Sequence, residues 1–241
     1  MSSELIVAVK DVYKTYRYGK NYVRALKGVT LEVVRGDIVC LVGPSGSGKT
    51  TLLNIIGGID SPDSGSVIVD RISVSKLRGR ELSDYRLKKV GYVFQFYNLI
   101  PVLTVAENIE LPLTLANVDK KTREERVKIL LEAVGLTHLA SRTPDSLSGG
   151  EQQRVAIARA LANNPAIVLM DEPSANIDVE NTIKIMKLVE KLNREIGQTF
   201  IIATHDTLVV KSCFKIYRIR DGVIIGRYTG DDIAKALSSE A

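Results

Sequence analysis

Eight residues, GPSGSGKT at positions 43–50, carry the densest chemistry in the chain. Gly43, Gly46 and Gly48 are interleaved with Pro44, Ser45 and Ser47, and the run closes on Lys49, Thr50 and Thr51. Glycines let a backbone turn tightly and aim successive N–H groups into one concavity, which suits phosphate oxygens. Lys49 is spaced to reach β- and γ-phosphates, and the Thr50 hydroxyl to ligate Mg²⁺. A glycine-rich turn with an incidental lysine would look the same in isolation, so the flanks decide. Ile38 to Val42 (IVCLV) is the short apolar run of a buried strand. TTLLNIIGG after the cradle favours a helix, whose N-terminus adds its positive dipole end. The segment reads as a nucleotide site.

A second apolar run, Ala166 to Met170 (AIVLM), ends in Asp171-Glu172. Asp171 is placed to hold Mg²⁺ and Glu172 to polarise an attacking water. The same pair also fits a solvated strand end. No asparagine in the chain is followed by lysine, so the guanine-reading Asn-Lys-x-Asp pattern is absent and a Ras-type GTPase is disfavoured.

LSGGEQQRVAIARAL (147–161) adds the deciding motif. Ser148 and the N–H groups of Gly149 and Gly150 precede a periodic apolar stretch, forming a second helix N-terminus able to take a phosphate. As a bare helix cap with an acidic first turn, SGGE needs no ligand. Together with the cradle it resembles the signature of the ABC ATPases, and the resemblance runs over roughly residues 4–228. It implies ATP and Mg²⁺ as ligands, ATP hydrolysis as the activity, and a second copy of the chain whose Ser148–Gly150 turn covers the first copy's γ-phosphate.

The same resemblance assigns further positions. Gln95, after VGYVF, is similar to the glutamine that touches Mg²⁺ and water. His205, after TFIIAT, is similar to the switch histidine at the γ-phosphate, and the other histidine, His138, lies in THLAS with no such context. Asp178, in SANID, resembles the aspartate that crosses the dimer interface, although Ile177 and Asn176 before it depart from the usual pattern. Tyr16, in VYKTY, resembles the aromatic that stacks on adenine, a contact worth about 1–3 kcal/mol. Tyr13, Tyr18 and Tyr22 stand close by, so a surface role for Tyr16 stays open.

FQFYNLIPVLTVAENIELPL (94–113), with NIIGGID earlier, resembles the branch that serves macrolide export, lipoprotein release and the division-associated complex. That branch implies a membrane permease partner docking near Phe96–Pro101, with Tyr97, Leu99 and Ile100 as apolar contacts. The alternative is that these residues pack the hinge between core and helices. A non-transport ATPase regulating a membrane partner in envelope or division signalling is the alternative function. Cargo is not written in an ATPase subunit.

The elements that position these residues follow from pattern. IVAVKDV and VTLEVV within residues 5–35, bounded by Gly19 and Gly36, alternate as an antiparallel sheet would, and GSVIVD adds a strand. From Ile38 onward strands alternate with helices, which predicts a mostly parallel α/β core. Three helical stretches interrupt that alternation between Gln95 and Asp171. The expected organisation is one ABC ATPase domain: core and antiparallel β subdomain from 1–95 and 161–229, a helical signature subdomain at 96–160, and a peripheral tail at 230–241.

Length and composition agree. The 241 residues, 45% apolar, can bury a sizeable core as one unit with a subdomain. No run approaches the roughly eighteen apolar residues that span a bilayer, and no secretory h-region opens the chain. A net charge of +5 fits phosphate ligands or an anionic membrane surface and is too diffuse for nucleic acid. The expected place is cytoplasmic, peripheral on the inner face of the membrane. Cys40 and Cys213 lie in apolar contexts and read as buried small hydrophobes in a reducing compartment.

Overall fold

The computed structural model describes residues 4–230 and Asp232, so nearly all of the expected tail lies outside the described residues. The alternating runs at the start form a long antiparallel hairpin of β1 (Leu5–Tyr18) and β2 (Asn21–Val34). Gly19, at a φ of 62°, makes its turn, a conformation that costs glycine least. β4 (Ser64–Val69) and β5 (Ile72–Ser73) extend this sheet in the order β2-β1-β4-β5.

The second sheet has the order β10-β9-β3-β8-β7-β6. It comprises β3 (Ile38–Val42), β6 (Val90–Val93), β7 (Ile167–Asp171), β8 (Thr199–Thr204), β9 (Lys215–Arg220) and β10 (Val223–Thr229). All pairings are parallel except that of β9 with β10. β3, β7 and β8 are buried along their whole lengths, as continuous apolar runs covered on both faces must be.

The pleat divides the core in two. Ile38, Cys40 and Val42 point into one cluster with Met170, Ile202 and the helices. Val39 and Leu41 point into the other, with the antiparallel sheet and α1 (Lys49–Ile56). α2 (Gly79–Lys89) packs along β6, and α3 (Val105–Leu115), α4 (Lys120–Val134) and α5 (Gly149–Ala160) pack on one another. α6 (Val179–Ile196) and α7 (Thr207–Val210) complete the set. The result is the expected fold class: a P-loop core of mostly parallel strands with flanking helices, an N-terminal antiparallel sheet and a group of helices between β6 and β7.

One expectation fails here. Cys40 and Cys213 are buried, at 0% and 4% exposure, but they are joined as a disulfide with Cα atoms 5.9 Å apart. Cys40 sits on β3 and Cys213 two residues before β9, and those strands are paired neighbours. Apolar context alone could not reveal that 173 residues of separation close to bonding distance.

Candidate functional site

Parallel register brings the chemistry to one edge. Val42 lies opposite Thr204, Asp171 opposite Ala203 and Val93 opposite Met170, so the segments after β3, β6, β7 and β8 all open at the carboxyl edge of the sheet. Crevices beyond strand carboxyl ends are where open α/β sheets hold ligands.

The 43–48 loop is shaped by its glycines. A Cβ on Gly43 would collide with the Ile219 carbonyl, and Gly48, at a φ of 105°, approaches the Ala25 carbonyl too closely for a side chain. The Ser47 hydroxyl is buried and has no hydrogen-bond partner. A donor left unsatisfied at the floor of an anion cradle is costly unless an oxygen arrives. Lys49, only 5% exposed, lays its Nζ 2.7 Å from the Gly43 carbonyl, 3.1 Å from that of Pro44 and 3.3 Å from Glu172 Oε1.

Glu172 is gripped from both sides, since its other oxygen lies 2.9 Å from His205 Nδ1. Its backbone has a φ of 45°, an uncommon left-handed conformation, and its N–H donates to Ala203 at 2.9 Å. The Thr50 hydroxyl donates to Asp171 Oδ1 at 3.0 Å. Burial, the largest influence, pushes the Asp171 carboxyl above its ordinary value; the Thr50 bond opposes it, Glu172 adds to it, and Lys49 opposes it. Thr50 and Asp171 are hard oxygen donors side by side, and a divalent cation is what such a pair suits.

A cavity of about 730 Å³ opens over this floor. Tyr16, Ser45 to Thr51, Gln95, Glu172 and His205 all line it. Tyr16 is fixed there, with its hydroxyl donating to Asp60 Oδ2 at 2.7 Å and Lys14 Nζ 5.1 Å from its ring centroid. Val23, Arg24, Ala25, Lys27 and Asp221 also line the cavity and were not singled out by sequence. They come from β2 and the β9–β10 turn, and only folding brings those next to the cradle.

The signature is elsewhere. Ser148, Gly149 and Gly150 do not line the cavity of their own chain. Ser148 caps α5 in a reciprocal box: Glu151 N–H reaches Ser148 Oγ at 3.4 Å, and Glu151 Oε2 accepts from Ser148 N and Oγ, each at 2.7 Å. Asp178 likewise caps α6, accepting from Asn181 N at 2.8 Å. Both turns stay exposed at their tips.

The Phe96–Pro101 segment is only partly exposed. Tyr97 and Leu99, expected as contacts for a partner, are half-buried against the hydrophobic core, because this segment must close the junction between β6 and α5. Ile100 is also half-buried. The exposed apolar side chains are Phe96, at 70%, and Val102, at 84%. Phe94 and Asn98, two residues to either side of Phe96, line a groove of about 540 Å³ together with Tyr92, Leu111 and Leu115.

Cradle, paired acids and strand-edge histidine on this sheet define a P-loop ATPase. Residues 26–175 match the ABC transporter family. An ABC transporter ATP-binding protein of Thermotoga maritima is 48% identical over 221 residues, which cover 92% of this chain and 94% of that protein. MJ0796 of Methanocaldococcus jannaschii is 46% identical over 91% of this chain and 95% of its own. The dimeric structure of MJ0796 in a post-hydrolysis state, bound to ADP and Pi, matches with a TM-score of 0.86 at 44% identity, over 93% of this chain and 98% of that one. The lipoprotein-releasing protein LolD of Saccharophagus degradans is 42% identical over 91% of this chain and 96% of that protein. The chain belongs to the ABC transporter family, as an ATP-hydrolysing subunit of the LolD-type branch.

Proposed function

We propose that two copies of this chain hydrolyse ATP at shared sites and drive a membrane permease. The observation that carries the reading is the separation of motifs: the cradle lines the chain's cavity, while Ser148, Gly149 and Gly150 do not. A second copy in head-to-tail pairing supplies Ser148, Gly149 and Gly150 to the γ-phosphate, with Asp178 at the interface. The dimeric MJ0796 structure supports the pairing of two copies.

Within each site the residues divide the work. Gly43–Thr51 backbone groups and Lys49 hold the phosphates, with the Ser47 hydroxyl as an additional donor. Tyr16 stacks on adenine. Thr50, Asp171 and Gln95 hold Mg²⁺, which when bound neutralises charge on the β- and γ-phosphates. On ATP entry Lys49 leaves Glu172 for phosphate, and Glu172 is freed to orient water for in-line attack while His205 steadies the γ-phosphate. Positioning and charge stabilisation do the catalysis.

Residues 96–160 act as the lever that moves against the core formed by 1–95 and 161–229. The permease docks on Phe96, Val102 and the adjoining groove, which places the chain on the cytoplasmic face of the membrane. Among the described residues no helix is long and apolar enough to cross it. LolD relatives support lipoprotein release as the task, and another export or mechanotransmission task is the alternative. Specific ATPase activity measured against chain concentration tests the shared site. It should rise with concentration and then saturate; activity per chain constant down to nanomolar would refute pairing.

A further inference from the structure

Three loops with separate duties meet at Tyr97. Its hydroxyl donates to the Asn176 carbonyl at 3.1 Å, and Asn176 Nδ2 donates back to the Gln95 carbonyl at 2.7 Å. Two hydrogen bonds of opposite direction thus tie the Gln95 segment to the loop that runs into Asp178. The signature turn closes on the same point. A Cβ at Gly149 would lie 2.9 Å from Tyr97 Oη and 3.0 Å from the Asn176 carbonyl, so a side chain there would have to push the clasp aside.

The segment is held in a conformation it would not choose. Tyr97 and Asn98 have φ values of 61° and 49°. Successive left-handed residues without glycine persist only when their surroundings impose them. Arg159 of α5 imposes them, donating to the Tyr97 and Asn98 carbonyls at 2.7 and 2.6 Å. Asn176 is exposed, and Tyr97 is half-buried with its ring against the core and its hydroxyl on the Asn176 carbonyl.

We propose that Tyr97 and Asn176 are positioning residues, clasping the Gln95 segment to the Asp178 loop so that both seat together when ATP and a second copy close the site. The proposal rests on the roles given above to Gln95 and Asp178. Tyr97→Phe or Asn176→Ala would each remove one of the two ties and loosen the coupling of the loops during closure. That cost falls on turnover and not on ATP binding, because the cradle is untouched.

The test is steady-state ATPase kinetics of the full chain with Tyr97→Phe, Asn176→Ala, Asn176→Asp, the Tyr97→Phe/Asn176→Ala double variant and Gln95→Ala. Each clasp variant should lower kcat about three- to tenfold, the rate equivalent of one ordinary hydrogen bond. KM for ATP should stay within about twofold and Tm within about 2 °C, as for surface substitutions. Asn176→Asp keeps the size but lacks the donor, and should fall with Asn176→Ala. The double variant should be slower than either single one, since each single change leaves the other hydrogen bond in place. Wild-type kcat in Asn176→Asp, or a double variant as fast as the wild type, would overturn the proposal. Gln95→Ala separates the two failures. If it slows turnover while Asn176→Asp does not, the clasp alone is wrong; if it runs at wild-type rate, the role of Gln95 is wrong and the clasp falls with it.

Discussion

Lys49 Nζ lies 3.3 Å from Glu172 Oε1, so the cradle's cation and the carboxylate at the end of β7 hold each other before any phosphate arrives. His205 takes the other carboxylate oxygen at 2.9 Å. The pair is nearly dry, at 5% and 13% side-chain exposure, and each partner therefore depends on the other for compensation. On the proposed reading, ATP binding exchanges this ion pair for one between Lys49 and phosphate.

Removing either end should have opposite effects. Glu172→Gln keeps the cradle and should retain ATP affinity while slowing turnover at least about 100-fold, the scale of a lost general base. Lys49→Ala should weaken ATP binding by an order of magnitude or more, about 1.4 kcal/mol. Equilibrium binding of a fluorescent ATP analogue alongside a phosphate-release assay checks both. Normal turnover in Glu172→Gln would remove that residue from the chemistry.

The signature cap carries a charge where phosphate is expected. Glu151 Oε2 accepts from both Ser148 groups at 2.7 Å, and these bonds hold its carboxyl below the usual range. Glu151→Gln keeps the reciprocal cap but removes the negative charge, so ATP-dependent pairing should tighten severalfold. Ser148→Ala should cost about 1 kcal/mol of helix capping and weaken pairing as well. Sedimentation of the two variants at matched ATP would separate them; identical association constants would show that the turn meets no phosphate.

The disulfide predicts a redox effect on stability. Cys40–Cys213 closes a loop of 173 residues, and removing such a link costs about 2–5 kcal/mol. Chain unfolded in reductant and refolded with thiols kept reduced should melt several degrees below the oxidised form. Equal melting temperatures, with two titratable thiols in the denatured native protein, would contradict the bond.

Asp70 predicts an acid limb. Lys89 Nζ at 2.8 Å and Arg35 Nη2 at 2.8 Å bind its two oxygens. The Lys89 bond is the largest influence, burial opposes it, Arg35 adds to it, and the net effect holds the carboxyl below its ordinary value of 3.8. The unfolded chain therefore binds this proton more readily than the folded one. The stabilisation is complete above the ordinary carboxylate range and drains as pH falls through the folded value. Asp70→Asn should flatten the decline of Tm between about pH 5 and pH 3; parallel profiles would refute the link.

Local pattern was enough for much of this. IVCLV and AIVLM had to be fully buried strands because nothing polar interrupts them, and Gly43, Gly46 and Gly48 demanded a phosphate-shaped turn. What stayed hidden depends on chain segments meeting at a distance. Asp60 reaches Tyr16 across 44 positions, Asn176 reaches Gln95 across 81, and Cys213 meets Cys40 across 173. For Tyr97 and Leu99 both a partner contact and hinge packing stayed open, because a sequence cannot say which side of an apolar segment a core will claim.

The most direct measurement is the mass of Glu172→Gln by size-exclusion chromatography with light scattering, with and without ATP·Mg²⁺. A shared site predicts a 26.4 kDa monomer without nucleotide and twice that mass with ATP·Mg²⁺. A variant that binds ATP and remains monomeric at every concentration would contradict it.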